Sequence, residues 1–129
     1  QTLIMKSTLE KNERYTVFTI KEKNLTSHNS SDLKSEIAIL VAEGYTSILL
    51  NLSELDFMDS SGLGALLNAD RTTKENEGFL VIYGLNESNN NLIRIAKLDK
   101  VLLIAPTQKE ALDLLILQEL ERDLSAEEN

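Results

Sequence analysis

The chain has 129 residues, a formal net charge of -8 at pH 7 and no cysteine. Its length fits one domain with an ordinary core, and 42% apolar residues are too many for a disordered chain. The acidic balance argues against electrostatic binding to nucleic acid or to an anionic membrane, and the lack of cysteine excludes disulfides, thiolate nucleophiles and zinc–thiolate sites.

The sequence contains neither a membrane-spanning pattern nor a secretory leader pattern. No stretch approaches the roughly 20 consecutive apolar residues that a transmembrane helix needs. We therefore expect a soluble, cytoplasmic protein without direct membrane insertion. Gln1 is not an initiator, which makes Met5 a candidate native start. The single histidine, His28, stands in a polar stretch, so we predict neither a metal site nor a Ser–His pair there.

The first half of the chain predicts a hairpin, a helix and a buried strand. The strand-like runs TLIMKSTLE and YTVFTI are separated by the polar turn KNER. In NSSDLKSEIAILVAEG the apolar residues recur with the spacing of a helix. A serine or asparagine can cap this helix at its start, and Gly44 can end it. The residues on its predicted inner face are Leu33, Ile37, Leu40 and Val41. The continuous apolar run SILLNL predicts a strand that is covered on both faces.

The middle of the chain continues this alternation. A second helix follows Gly62 and closes at Gly78, and FLVIYG predicts another buried strand. NNNLIRIAKL then predicts a short helix. The residues predicted to face inward on it are Leu92, Ile95 and Ala96.

The C-terminal part predicts the last strand, VLLIA, and a final helix that begins at Pro106 and Thr107. The inward-facing residues of this helix include Ala111, Leu112 and Leu115. Residues 119–129 contain five acids and one arginine. We therefore predict one domain over residues 1–124 and a mobile acidic tail over residues 125–129.

Strands that alternate with helices through short connections imply right-handed crossovers and a mostly parallel sheet. The predicted fold class is therefore α/β, with a mixed, mostly parallel sheet of four to five strands, about four helices and a hairpin at the front. We expect residues 48–52 to form the central strand. The second helix should begin within two residues of Ser61.

The corner FMDSSGLGALL, residues 57–67, holds the candidate functional groups. Gly62 and Gly64 fit a dinucleotide cradle, but a leucine occupies the third glycine position, and the chain has no Gly-Lys-Ser/Thr phosphate loop. The Gly-x-Ser-x-Gly elbow of hydrolases is absent too, because neither serine has a glycine two positions earlier. Nucleotide binding and serine catalysis are therefore disfavoured.

Helix capping explains part of this corner. Ser60 or Ser61 can accept backbone N–H bonds at a helix start, and Asp59 suits the positive end of the helix dipole. Capping gives no reason for Gly62 and Gly64, since glycine in a helix interior costs roughly 0.8–1.0 kcal/mol relative to alanine. The residues predict an exposed serine on an unobstructed helix N-terminus that another surface approaches closely, suited to docking or to modification.

The stretch LNLSELDFMDSSGLGALL resembles the signature of the STAS domain family, and of bacterial anti-sigma factor antagonists in particular. The Asp-Ser-Ser-Gly-Leu-Gly hexapeptide directly after a buried strand is a specific signal, and the similarity covers nearly the whole chain. The resemblance implies a non-enzymatic binding protein that sequesters an anti-sigma factor with serine kinase activity and so frees a sigma factor for transcription. It also implies that this kinase phosphorylates Ser60, using ATP and magnesium held by the kinase, and that a serine phosphatase removes the phosphate.

By match of position, the resemblance also implies a partner surface around Ser60. The predicted partner-binding residues are Asp59, Ser60, Ser61, Gly62, Leu63, Gly64, Leu25 and Thr26. Among these, Ser61 is interpreted as the helix cap and the two glycines as positions of close approach. Leu63 and Leu67 are interpreted as core or rim.

One stretch departs from the family pattern. Many members carry Gly-x-Leu-Asp after the second strand, in a loop that helps to form the partner surface. This chain has KEKNLTSHN, which keeps Leu25 but places Lys23 and Thr26 where the glycine and the aspartate would stand. We therefore expect its contacts with a partner to differ in detail.

The resemblance leaves a second function open. STAS domains also serve as accessory subunits of bacterial lipid-transport ABC systems, where they brace an ATPase subunit without a phosphoryl cycle. The intact hexapeptide favours the phosphorylation switch over this alternative. For either function we predict no catalytic residue, no cofactor, no bound metal and no nucleic-acid partner.

Overall fold

The order of strands and helices follows the apolar pattern, as the computed structural model of the protein shows for residues 5–127, the part of the chain that it describes. The strands are β1 (Ser7–Lys11), β2 (Thr16–Ile20), β3 (Asn24–Leu25), β4 (Ser47–Asn51), β5 (Phe57–Met58), β6 (Phe79–Tyr83) and β7 (Leu103–Ala105). The helices are α1 (Ser30–Ala42), α2 (Ser60–Glu75), α3 (Glu87–Ile95) and α4 (Gln108–Glu127). The predicted α/β class and the four helices are confirmed.

Five strands form one sheet in the order β1-β2-β4-β6-β7. β1 and β2 form the predicted antiparallel hairpin, and all other neighbours in this sheet are parallel. The central position of β4 is confirmed, with Leu49 paired to Val17 on one side and to Val81 on the other. The hairpin turn is closed by Asn12, whose side-chain oxygen accepts hydrogen bonds from the N–H groups of Arg14 and Tyr15.

The two faces of this sheet carry separate helical layers. Alternate residues of a strand point to opposite faces, so Ile48 and Leu50 join one apolar cluster and Leu49 joins another. α1, α2 and α3 contribute to the first cluster, whereas α4 packs on the opposite face through Ala111 and Leu115. The corner that precedes α2 and the long helix α4 therefore belong to opposite layers.

A second, two-stranded sheet pairs β3 with β5 in parallel. Local sequence patterns do not predict this sheet, because each strand has only two residues. This pairing brings the loop after β2 beside the corner, where the Asp59 N–H donates to the Leu25 carbonyl at 3.2 Å.

Two glycines near helix ends act differently from one another. Gly44 ends α1 as predicted: it has φ +96°, and the Tyr45 N–H donates to the Leu40 carbonyl at 2.9 Å. α2 ends at Glu75, and the left-handed residue after it is Glu77 (φ 62°), not Gly78. Gly78 is required for another reason, since a Cβ there would lie 1.8 Å from the Thr46 carbonyl oxygen.

The prediction for the inner face of α3 is wrong at two positions. Ile93 is buried, whereas Ile95 is 78% exposed and Ala96 is also exposed; Leu92 is half-buried. The helix begins at Glu87, earlier than its apolar residues indicate, because Asn86 caps it. The buried line therefore runs from Asn89 to Ile93, four residues apart.

The last strand is shorter and the last helix longer than predicted. VLLIA forms a strand only from Leu103, and Val101 is exposed in the turn before it. The Thr107 hydroxyl caps α4 by accepting from the Glu110 N–H, and Ala111 and Leu115 are buried as predicted. Residues 125–127, predicted as part of a mobile tail, continue α4, and residues 128–129 lie outside the described part of the chain.

None of the helices within residues 5–127 has the length and apolarity needed to cross a membrane.

Candidate functional site

Asp59 joins the end of β5 to the start of α2 and caps the helix. One carboxylate oxygen accepts from the Gly62 N–H at 3.0 Å, and the other accepts from the Ser27 N–H at 3.3 Å. The interpretation of Ser61 as the cap is wrong, because α2 begins at Ser60, two residues earlier than that role requires, and Ser61 lies inside the first turn. Asp59 thus ties the loop after β3 to the helix start.

The same hydrogen bonds stabilise the charged form of Asp59. The Gly62 N–H lowers the pKa of this carboxyl below its ordinary value, and the N–H groups of Ser27 and Ser61 act in the same direction, while partial burial opposes them. A carboxylate at this position also interacts favourably with the positive end of the α2 dipole. The corner therefore carries a fixed negative charge next to the two serines.

Ser60 is the first residue of α2 and is exposed. Ser61, the second residue, is half-buried. Neither hydroxyl makes a side-chain hydrogen bond within residues 5–127. No group of three His, Cys, Asp or Glu side chains in that part of the chain is arranged to hold a metal ion. Of the two serine hydroxyls at this corner, that of Ser60 is therefore the more accessible to a partner.

The two glycines of the corner face different surroundings. A Cβ at Gly62 would lie 2.4 Å from the Leu25 carbonyl oxygen and 3.1 Å from the Cβ of Met58. The surface that approaches Gly62 is therefore the chain's own strand β3, and not a partner. Gly64 is exposed, with nothing within 4 Å of its Cβ position, so it leaves room for an external surface.

The loop after β3 lies beside the corner, as the predicted partner surface requires. Leu25 itself is fully buried, so its side chain supports the loop from the core and does not reach solvent. Asn29 holds the loop's shape, since its amide accepts from the Thr26 N–H and donates to the Asn24 carbonyl, both at 2.9 Å. Because these hydrogen bonds engage the Asn29 side chain, it does not cap α1. Of the two predicted partner-binding residues in this region, Leu25 and Thr26, the half-buried Thr26 is the one that remains accessible.

An apolar groove of about 800 Å³ opens beside Ser60, between the corner and α3. Its apolar lining residues are Phe57, Met58, Leu63, Leu92 and Ile95, and its polar lining residues are Asp59, Ser60, Glu87, Ser88, Asn89 and Asn91. We call this feature the Ser60 groove. Phe57 and Ile95 are 55% and 78% exposed, and together with the other apolar lining residues they form an exposed apolar patch.

The sequence prediction of the site included Leu63 but missed Phe57, Leu92 and Ile95. A signal was present, since Phe57 precedes Met58 in an alternating strand and must point away from it. Recognising Ile95 as exposed required the true start of α3, which the apolar residues alone did not reveal.

Two asparagines hold α3 against the corner and so fix the width of the groove. The Asn86 amide donates to the Asp56 carbonyl at 3.1 Å, and its oxygen caps α3 by accepting from the Asn89 N–H at 2.8 Å. The Asn89 amide is buried and donates to the carbonyls of Leu55 and Asp56, each at 3.4 Å. The groove is therefore built by the fold and does not depend on a bound partner.

A sequence model of the STAS domain matches residues 6–111, most of the chain. The chain belongs to the STAS domain family. A Thermotoga neapolitana protein with the provisional name of an anti-sigma factor antagonist is 34% identical to this STAS domain over 71 residues. These residues are 55% of the chain and 63% of the relative, so the match spans less than two thirds of that protein.

Solved STAS structures share the fold. A Thermotoga maritima protein with the same provisional name superimposes with a TM-score of 0.74 at 22% identity, over 84% of this chain and 93% of the other. The phosphorylated form of the Bacillus cell fate determinant SpoIIAA superimposes with a TM-score of 0.64 at 24% identity, over 84% and 97%. At these identities the likeness establishes the STAS fold and leaves the function to be argued from the site.

Proposed function

We propose that this STAS domain is a phosphorylation-controlled binding protein that sequesters an anti-sigma factor with serine kinase activity and so frees a sigma factor for transcription. The observation that carries the proposal is the exposed hydroxyl of Ser60 on the first turn of α2, at the margin of the apolar Ser60 groove. The name of the relative, an anti-sigma factor antagonist, supports it. So does the existence of a phosphorylated form of a protein with this fold.

The groove provides the docking surface. Phe57 and Ile95 expose large apolar side chains to water, and covering them is favourable by about 25 cal/mol for each Å² of apolar area. The rim includes the carboxylates of Asp59 and Glu87, which suit hydrogen-bond donors on the partner. An unphosphorylated Ser60 adds only a small neutral hydroxyl to this surface. The anti-sigma factor can therefore cover the groove without burying an additional charge.

The phosphoryl transfer uses Ser60 as the nucleophile and the partner as the enzyme. The hydroxyl oxygen attacks the γ-phosphorus of ATP, the bond to the oxygen that bridges the β- and γ-phosphates breaks, and ADP leaves. A base in the kinase accepts the serine proton, and the magnesium ion held by the kinase neutralises the developing charge. The contribution of Asp59 is positional, because its hydrogen bonds to Ser27 and Gly62 hold the first turn of α2 in place.

The phosphate then opposes docking. It adds roughly -1.5 to -2 charges next to the carboxylate of Asp59, and covering the groove would remove this dianion from water. An uncompensated charge at a buried contact costs roughly 2–5 kcal/mol, which is about 30- to several-thousand-fold in Kd. The phosphorylated protein therefore releases the anti-sigma factor until a serine phosphatase restores the free hydroxyl.

The decisive experiment begins with a pull-down that identifies the partner by mass spectrometry. Incubating the captured protein with this STAS domain and ATP, followed by intact-mass analysis and peptide mapping, should place one phosphate on Ser60. Ser60→Ala should bind the partner as the wild type does and resist phosphorylation. Ser60→Asp should bind more weakly, although less so than the phosphorylated protein, because it adds one charge.

Ser61→Ala is the matched control, and it should be phosphorylated and bind normally. A phosphate that maps to Ser61 or to a threonine would overturn the role of Ser60. Capture of a transporter ATPase that leaves the domain unmodified, together with undiminished binding by Ser60→Asp, would replace the switch with the role of an ABC-transporter accessory subunit.

A further inference from the structure

Helix α4 carries apolar residues on two opposite sides. Ala111 and Leu115 are buried against the sheet. Four further apolar residues are exposed, and we call them the outer stripe: Ile116 (40% exposed), Leu117 (48%), Leu120 (53%) and Leu124 (52%). Exposed apolar residues that are scattered singly need no explanation, but four on one helix form a continuous surface.

The spacing places these residues together. At 3.6 residues per turn, the four side chains fall within an arc of about 100° that points away from Leu115. Leu117, Leu120 and Leu124 are separated by three and four residues, which is the spacing of a coiled-coil seam. Such a seam is the pattern of a surface that packs against another helix, and α4 already packs on the sheet through its other side.

The margins of the outer stripe are acidic. Asp113, Glu121, Asp123 and Glu127 lie on or beside this side of the helix by the same angular spacing. Lys109 pairs with Asp113 at 3.0 Å and Arg122 with Asp123, so Glu121 and Glu127 are the acids of this margin that have no ion pair within residues 5–127. Arg122 pairs with Asp123 at 3.3 Å, and its guanidinium also stacks over the Phe79 ring and donates to the Glu77 carbonyl, which turns it toward the body of the domain.

Arg14, in the hairpin turn, borders the groove between that turn and α4, together with Glu13 and Glu119. Arg122 and Asp123 line the same groove, so its border carries three acids and two arginines. The stripe as a whole is an apolar seam with negative margins.

We propose that the outer stripe is a second docking surface, and that it binds an amphipathic helix of a partner protein with apolar residues at the seam and lysine or arginine beside them. Charge complementarity selects this occupant. A second copy would form a symmetric contact that places acidic margins against acidic margins, which is destabilising. An anionic membrane surface is disfavoured by the same charges.

This surface lies on the opposite layer of the sheet from Ser60, because α4 packs on one face and α1, α2 and α3 on the other. Phosphorylation of Ser60 therefore leaves the outer stripe unchanged. The inference goes beyond the proposed function, since it assigns the domain a contact that stays in place in both states of Ser60.

The test uses the full chain and a fluorescently labelled synthetic helix with leucine at its a and d positions and lysine at the flanking positions. Fluorescence anisotropy should show binding that weakens as salt rises, since exposed charges are screened. The variant Leu120→Ser/Leu124→Ser should bind at least about tenfold more weakly. Both side chains are about half exposed, so the substitutions are compatible with folding, which circular dichroism and the melting temperature will verify.

Three controls separate this site from other surfaces. Ile39→Ser removes an equally exposed apolar residue on α1, and Ile95→Ser alters the Ser60 groove; both variants should bind the lysine helix as the wild type does. Ser60→Asp should also leave its binding unchanged. The same helix with glutamate in place of lysine should not bind.

The proposal is overturned if the wild type does not bind the lysine helix, or if Leu120→Ser/Leu124→Ser binds it equally well. Equal binding of the glutamate helix would also overturn it. Sedimentation analysis of the protein alone supplies a further check: a dimer that dissociates in Leu120→Ser/Leu124→Ser would show that a second copy occupies the stripe.

Discussion

Asp59 is the residue on which the geometry of the corner depends most. One carboxylate oxygen accepts a hydrogen bond from the Ser27 N–H, 32 positions earlier in the chain, and the other accepts from the Gly62 N–H, three positions later. A serine hydroxyl at the same place has a single oxygen and could not reach both donors at once. The family hexapeptide therefore contains its own structural anchor directly before the residue proposed for phosphorylation.

Replacing the anchor should destabilise the fold, and replacing its serine neighbour should not. Asp59→Ala removes both hydrogen bonds and the cap, so we expect the melting temperature to fall by about 4 °C. Ser61→Ala should shift it by less than about 2 °C, because Ser61 lies inside the helix and makes no side-chain hydrogen bond. Calorimetry of both variants checks the assignment. A larger fall in melting temperature for Ser61→Ala than for Asp59→Ala would indicate that Ser61 is the cap.

The lowered pKa of Asp59 predicts how this contribution varies with pH. A group whose pKa is lower in the folded state stabilises the fold above its unfolded pKa, and loses that effect as the pH falls through its folded pKa. The stability difference between wild type and Asp59→Ala should therefore be constant near neutral pH and shrink below about pH 4. Urea unfolding at a series of pH values measures it. A difference that grows on acidification would contradict this sign.

Gly62 and Gly64 allow a matched comparison, because an alanine at Gly62 would be crowded by neighbouring atoms and an alanine at Gly64 would not. Gly62→Ala forces a Cβ to 2.4 Å from the Leu25 carbonyl and should destabilise the fold by about 1–3 kcal/mol. Gly64→Ala faces open space on a helix and should stabilise it by up to about 1 kcal/mol. Chemical denaturation of both variants tests this. If Gly64→Ala also weakens partner binding, Gly64 is a point of close approach for the partner.

At the scale of elements, long apolar segments were predictable and short ones were not. β4 and β6 are continuous apolar runs, so burial on both faces was evident from their residues. β3 and β5 have two residues each, and their pairing depends on contacts between residues more than 30 positions apart. Local sequence carries no signal for such a pairing.

The candidate site divides in the same way. Ser60 and the acidic residue before it were identified from the hexapeptide, which is local. The Ser60 groove required the start of α3 to be known, and that start is set by the Asn86 cap and not by the apolar residues of the helix. The predicted helix began two residues late, at Asn89, and the prediction placed Ile95 inside although it is 78% exposed.

The connection between α3 and the corner can be tested through Asn89. Asn89→Ala removes a buried amide that donates to the Leu55 and Asp56 carbonyls, and should cost about 1–3 kcal/mol of stability. Ser88→Ala, at an exposed neighbouring position, should be neutral within about 0.5 kcal/mol. Urea unfolding gives both values, and hydrogen exchange should show faster opening of α3 in Asn89→Ala. Equal stability of the two variants would mean that Asn86 alone holds α3.

At the scale of the whole molecule, the sheet separates two surfaces with different properties. The corner, the Ser60 groove and α3 belong to the layer that also contains α1 and α2. The outer stripe belongs to α4 on the other layer. Because the Debye length is about 8 Å in physiological salt, a charge placed on the exposed Ser60 acts mainly on its own layer of the sheet.

Truncation of the C-terminus distinguishes the roles of these two surfaces. Deleting residues 124–129 removes the last turn of α4 and one large apolar residue, Leu124, which is 52% exposed. Because residues 121–127 are all exposed, we expect the melting temperature to change by less than about 2 °C. Binding at the Ser60 groove should be unchanged, whereas the synthetic lysine helix should bind more weakly because its seam loses one of four apolar residues.

The matched control for this deletion is Leu124→Ser in the full chain, which removes the apolar side chain and keeps the helix. If the two variants weaken binding of the lysine helix equally, the effect belongs to Leu124. A loss of several degrees in the truncated protein alone would instead show that the final turn of α4 packs against the domain, since about 1 kcal/mol moves the midpoint of a domain of this size by about 4 °C. In that case residues 124–129 are part of the folded domain, and the predicted boundary at residue 124 is wrong.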